Sequence, residues 1–285
     1  MTVASPAPTV LVAGHVTLDE IGDELVPGGS VYYAGRAYLA LGARVRAATA
    51  AAADFPADAL AGIEAEIAPA SRTTTFANSY GAGGRRAQRV DGTAPRLRPD
   101  RVPPSWLACD VLHLAPVIAE VDLGPWLRAS RARFVGIGAQ GWVRALAADG
   151  TVVQPRWEFE AADLAGVGAA CIGEDDLPGQ GDLVERLAAA VPVVAFTHGS
   201  RGCEVLRAGR RVHVGTYPTT EVDPTGAGDV FSAGFFLALA QGAAPVDAAR
   251  LGAAAASIVV EAPGGKALCR LAEAPGRAAA IGVRR

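Results

Sequence analysis

The chain has 285 residues and a net charge of -3, with 51% hydrophobic and 19% charged residues. That balance suits one large buried core and excludes a disordered chain, and scattered arginines give no basic patch for nucleic acid. The longest apolar runs fall short of the ~20 residues that a membrane span requires, so the reading is a single domain over residues 1–285 that handles a small soluble ligand.

Cys109, Cys171, Cys203 and Cys269 are far apart and form no Cys-x-x-Cys pair. A disulfide framework or a zinc site is therefore not expected, and a reducing cytoplasm suits them. The N-terminus lacks a basic segment ahead of an apolar one, which argues against a leader.

In chain order, Thr9 to Ala13 is a short apolar run of the kind that forms a buried parallel strand, ending at Gly14. Asp19 follows in a loop, then Pro27-Gly28-Gly29-Ser30 and a helical stretch from Val31 to Leu41. A carboxylate accepts hydroxyl hydrogens, and glycines let backbone approach a ligand closely. Arg44 to Ala50 reads as a strand, and Pro56 to Ile67 as an Ala-rich helix. Thr73 to Tyr80 is β-branched and aromatic, Gly81-Ala82-Gly83-Gly84 breaks it, and Arg85 to Val90 follows: a β-hairpin signal.

From Asp110 the pattern becomes regular. Strands at Val111–Leu114, Arg133–Ile137 and Ala169–Ile172 alternate with helices near Asp122–Ser130 and Glu158–Leu164. Such alternation implies a parallel sheet covered on both faces, with a ligand at the strands' carboxyl edge. Gln140 follows one of those strands, and either binds a ligand hydroxyl or braces its loop. A further strand, Val191 to Phe196, leads into Thr197-His198-Gly199-Ser200-Arg201-Gly202 and a hairpin from Cys203 to Val214.

The most telling stretch is Asp223-Pro224-Thr225-Gly226-Ala227-Gly228-Asp229, opening the apolar run Val230 to Ala240. It reads as a tight loop entering a buried helix. Pro224 extends Asp223, Gly226 and Gly228 allow a sharp bend, and the first-turn amides at the helix's positive end suit an anion such as phosphate. Asp229 sits inside that site. A carboxylate beside an anion site makes sense in phosphoryl transfer, where it accepts the proton of an attacking hydroxyl. A second Ala-rich helix, Val246 to Val260, follows. No Gly-x-x-x-x-Gly-Lys-Ser/Thr loop occurs and Lys266 is the sole lysine, which excludes the P-loop mechanism and leaves an arginine finger open.

The Asp-x-Thr-Gly-Ala-Gly-Asp pattern resembles the signature of the ribokinase-like, or PfkB, carbohydrate kinases, and the other motifs follow in that family's order. The resemblance implies a three-layer α/β/α fold with a mostly parallel central sheet and a small β lid from residues 15–30 and 71–92. It implies an ATP-dependent kinase acting on a hydroxyl of a small sugar or polyol, with Asp229 as catalytic base and the backbone of Gly226, Ala227 and Gly228 as anion hole. Asp19, Gly28, Gly29, Tyr33 and Gln140 would meet the acceptor. Thr197, Gly199, Gly202, Thr225 and Ala253 would meet the nucleotide. Asp176 would contact magnesium through water, and many members hold a monovalent cation such as potassium near the loop that begins at Asp223.

The chain departs from the family pattern at several places. Tyr33 stands where Asn is usual, suggesting stacking or a reshaped pocket. Gly138 and Gln140 replace an Asp-x-Asn pair, which looks more like inositol-kinase-like branches than ribokinase. Gly173 and Asp176 replace the Asn and Glu of Asn-x-x-Glu, and Ala253 replaces Asn. A nucleoside kinase of this fold, with Tyr33 stacked on a base, is one alternative; a catalytically weak ligand-binding or regulatory member is the other. The lid can also pair two subunits as a homodimer.

Overall fold

The computed structural model describes residues 6–80 and 86–284. In chain order the elements are β1 (Thr9–Ala13), β2 (Thr17–Ile21), β3 (Glu24–Gly28), α1 (Ser30–Ala40), β4 (Arg44–Ala51), β5 (Glu64–Pro69), β6 (Thr74–Tyr80), β7 (Arg86–Val90), β8 (Val111–Leu114), α2 (Leu123–Ala129) and β9 (Phe134–Gly138). A short ribbon of β10 (Ala145–Leu146) and β11 (Val152–Val153) follows, then β12 (Ala169–Gly173), α3 (Leu183–Ala190), β13 (Val193–Thr197), β14 (Cys203–Arg207) and β15 (Arg210–Val214). The chain closes with α4 (Ala227–Ala240), α5 (Pro245–Val259), α6 (Ala274–Ala278) and β16 (Val283–Arg284).

Ten strands form one sheet in the order β16-β15-β14-β13-β12-β9-β8-β1-β4-β5. Strands β5 to β13 of that order run parallel, whereas β14, β15 and β16 are antiparallel additions at one edge. Because strand side chains alternate between faces, β1 sends Val10 and Val12 into one core and Leu11 and Ala13 into the other. The first core holds α1, α4 and α5, with Phe235 and Phe236 fully buried; the second holds α2 and α3, with Trp126, Leu183 and Leu187. Each such side chain contributes roughly 1.5–3 kcal/mol of burial. The result is the expected three-layer α/β/α arrangement.

A second sheet, in the order β3-β2-β6-β7, stands off the main one. It is the expected lid, with Phe76 and Val90 packed on Val117 and Ile118 below. The glycine run that was to turn its hairpin, Gly81 to Gly84, lies outside the described residues, as does Arg85.

Two expected helices are absent. Residues 56–67 give a short 3-10 turn, Ala57–Leu60, and then β5. Gly62 at φ 84 breaks the chain between them, and the free edge of β4 captures β5, with Arg46 paired to Glu64 across the register. Near Glu158–Leu164 only the turn Ala161–Leu164 forms. Conversely α3 was not anticipated, although Leu183, Val184 and Leu187 mark one buried helical stripe.

Candidate active site

The loop into α4 is shaped by its own backbone. Gly226 caps the helix at φ 78, and Val230 N–H donates to its carbonyl at 2.9 Å. The amides of Gly226, Gly228 and Asp229 find no carbonyl among the described residues. They face a cavity of about 480 Å³ that the loop helps to line. Ala227 departs from expectation: its N–H donates to the Pro224 carbonyl at 3.1 Å, so the turn has already taken that amide from the anion hole. Asp223 is not among the residues that line the cavity. Its Oδ1 accepts from Thr225 N–H and its Oδ2 from Gly264 N–H, both at 2.9 Å. The carboxylate thus fixes the loop.

Asp229 lies half-buried on the cavity floor. Depth below the protein surface strips solvent from its carboxyl and pushes it up to about 6, while a hydrogen bond from Ser30 and the charge of Arg144 pull the other way. Ser30 is 2% exposed and starts α1 directly after Gly29. The sequence reading quoted this residue without giving it a role. Asp229 therefore combines a held orientation with a proton affinity near the working range of a general base.

Asp19, Gly29, Tyr33, Gln140, Phe76 and Val117 line the cavity. Asp19 is 8% exposed and accepts from Thr17 Oγ at 2.9 Å. Its other oxygen would lie 2.3 Å from a Cβ on Gly28, whereas Gly28 itself does not line the cavity. Gly28 gives Asp19 room. Gly29 has φ 85, and a Cβ there would meet the His15 carbonyl at 2.6 Å. Tyr33 is 1% exposed with its ring pressed on Gly226, so it offers no open face to a base. Its hydroxyl has no partner among the described residues.

Thr197, Gly199, Gly202, Thr225 and Ala253 also line the cavity, together with Tyr217, Ala256 and Val260. Asp176 lines it too, 6% exposed, at the close of the turn after β12. Its Oδ1 accepts from Arg144 Nη2 at 2.9 Å. Sequence reasoning left an arginine open but could not say which. No group of three His, Cys, Asp or Glu able to hold a metal occurs among the described residues. Asp176, with Glu174 and Asp175 also on the cavity wall, offers hard oxygen donors of the kind that suit magnesium held through water.

Comparison with known proteins agrees with this geometry. Residues 158–271 match the model described as pfkB family carbohydrate kinase. The chain is 48% identical over 59 residues to an inositol 3-kinase of Zea mays, a match that spans 21% of this chain and only 16% of that protein. A pyrophosphate-dependent kinase in the ribokinase family, complexed with a pyrophosphate analog and myo-inositol, superimposes with a TM-score of 0.75 at 20% identity, covering 89% of this chain and 96% of the other. Arabidopsis thaliana ribokinase complexed with ribose and ATP gives a TM-score of 0.68 at 17% identity, covering 94% and 99%. At those identities the structures show a shared ribokinase-like fold.

Proposed function

We propose, from the premise that the chain belongs to the pfkB family of carbohydrate kinases, that it transfers the γ-phosphoryl of ATP to a hydroxyl of a small sugar or polyol. The observation that carries this is Asp229 on the cavity floor, its carboxyl raised to about 6 and oriented by Ser30, beside helix-start amides that face the same space. Asp229 takes the proton of the attacking hydroxyl, while the amides of Gly226, Gly228 and Asp229 neutralise charge developing on the phosphoryl group. Asp19 and Gly29 hold the acceptor beneath the lid. Asp176 would hold magnesium through water, and the ion would supply charge neutralisation of the phosphates.

One feature supports ATP. The cavity continues past the amides to Tyr217, Ala253, Ala256 and Val260, an apolar wall suited to a nucleobase and of no use to a bare pyrophosphate. The acceptor reads as a polyol because the maize relative is an inositol 3-kinase. Pyrophosphate is the second donor reading, raised by the pyrophosphate-dependent neighbour. A nucleoside acceptor is disfavoured by the covered ring of Tyr33. Exposed Ile21 and Leu25 on lid strands suit pairing of two lids in a homodimer.

The test is a matrix of donors (ATP, pyrophosphate) against acceptors (myo-inositol, ribose, adenosine), followed by phosphorus NMR of the products. Transfer from ATP to myo-inositol or ribose is expected. Transfer only from pyrophosphate would replace the donor, and no transfer in any combination would overturn the kinase reading.

A further inference from the structure

Arg144 is the one cationic side chain lining the cavity among the described residues. Around it stand the carboxylates of Asp19, Glu174, Asp175, Asp176, Glu221 and Asp229. Lys266, the sole lysine, is not on that wall. A polyphosphate entering such a space meets repulsion from every acidic group, in surroundings where screening by water is weak. Arg201 pairs with Glu174 from outside the lining, which leaves Arg144 as the guanidinium on the wall itself to offset the rest.

The position of Arg144 is built rather than incidental. It follows the turn Ala139–Val143 at the carboxyl end of β9, and Asp176 closes the turn at the carboxyl end of the adjacent β12. Their side chains are 13% and 8% exposed and meet at 2.9 Å. A buried pair of this kind adds little net stability, because desolvation offsets the attraction. Gly173 matters here: a Cβ there would come 3.3 Å from Asp176 Oδ2 and 3.4 Å from Thr197 Oγ1. With no side chain at Gly173, the second oxygen of Asp176 stays uncrowded on that side.

We propose that Arg144 is the phosphoryl-binding residue of this site, parked on Asp176 until an anionic donor enters, whereupon the guanidinium turns to the phosphoryl oxygens. Asp176 would then be free to hold magnesium brought with the donor. A guanidinium suits this exchange because its five N–H donors can hold a carboxylate and a phosphate in turn or together. The proposal rests on the kinase reading for its purpose, and on the buried pair for its geometry.

The experiment is calorimetric titration of inorganic pyrophosphate and of ADP in EDTA, which removes magnesium and any need for turnover. Arg144→Gln should weaken both anions by at least about tenfold, and Arg144→Lys should recover part of the loss. Asp176→Asn should do the opposite and tighten both, because the competing carboxylate is gone. The double variant Arg144→Gln/Asp176→Asn leaves no buried charge unpaired; it should melt near the wild-type temperature yet still bind weakly. If the double variant binds as wild type, or if Arg144→Gln alone does, Arg144 serves only to neutralise Asp176 and the proposal fails. Failure of wild type to bind either anion in EDTA also overturns it. If wild type transfers no phosphoryl group in the donor and acceptor matrix yet Arg144→Gln loses pyrophosphate binding, the kinase reading falls and the anion site stands. Normal transfer with an indifferent Arg144→Gln gives the reverse.

Discussion

The ring of Tyr33 occupies the place where Gly226 would carry a side chain: a Cβ on Gly226 would lie 2.2 Å from Tyr33 Cδ1. The first helix thus supports the loop that opens α4, and the loop can only be glycine there, since Gly226 also holds φ 78. Gly226→Ala should lower stability by roughly 2–4 kcal/mol, the sum of left-handed strain and overpacking. Thermal unfolding measures it, and an unchanged melting temperature would refute the contact.

Gly228 contrasts with it. Nothing lies within 4 Å of a Cβ built there, and its backbone faces the cavity. Gly228→Ala should therefore melt like the wild type while losing about tenfold or more in kcat/KM, because the methyl group fills space meant for the phosphoryl group. Equal losses of stability and activity would show that Gly228 is structural.

The Tyr33 hydroxyl is buried without a partner among the described residues. A buried unsatisfied hydroxyl costs about 1–3 kcal/mol. Tyr33→Phe should thus leave the ligand-free protein as stable or more so, and raise the acceptor KM if that hydroxyl meets the acceptor. Unfolding curves and acceptor kinetics separate the two effects.

Asp229 must be ionised to act as base, and its carboxyl sits at about 6. In the free enzyme kcat/KM should fall tenfold per pH unit below that point. Ser30 stabilises the ionised form, so Ser30→Ala should move the acid limb to higher pH. A carboxyl raised above its unfolded value of 3.8 binds its proton more tightly in the folded protein, so it destabilises the fold above pH 6 and ceases to do so below pH 3.8. Asp229→Asn should accordingly raise the melting temperature at pH 8, with a gain that shrinks as pH falls, while turnover drops by about two powers of ten or more and nucleotide still binds. Unchanged turnover would remove the assigned base.

Arg277 braces the far wall. Its guanidinium lies 4.8 Å from the Tyr217 ring centroid and bonds Glu261 at 2.7 Å, and Glu261 also accepts from Thr219 Oγ. Tyr217 and Thr219 line the cavity. Arg277→Met should raise KM for ATP several-fold and leave the acceptor KM in place. These hydrogen bonds hold the Glu261 carboxyl down at about 2, so its contribution is complete above pH 4.5 and fades only as pH falls towards 2. A variant with unaltered KM for ATP would detach this network from the donor.

What the sequence alone determined was local. Pro224, Gly226 and Gly228 set backbone angles within one turn, and apolar runs at strand length alternate with helices, so the loop, the acidic residue Asp229 in it and the parallel sheet were legible from neighbouring residues. Asp19 was expected in a loop, whereas the structure places it on β2. Tertiary structure decided the rest. Ser30 on Asp229, Arg144 on Asp176 and Tyr33 under Gly226 join residues far apart in the chain, brought together at the carboxyl edge of the sheet by its strand order. Even the Ala227 amide was settled only by whether the Pro224 carbonyl came within reach. Backbone preference acts between chain neighbours, whereas hydrogen bonds and ion pairs depend on distances through space, and a linear order of residues carries the first without the second.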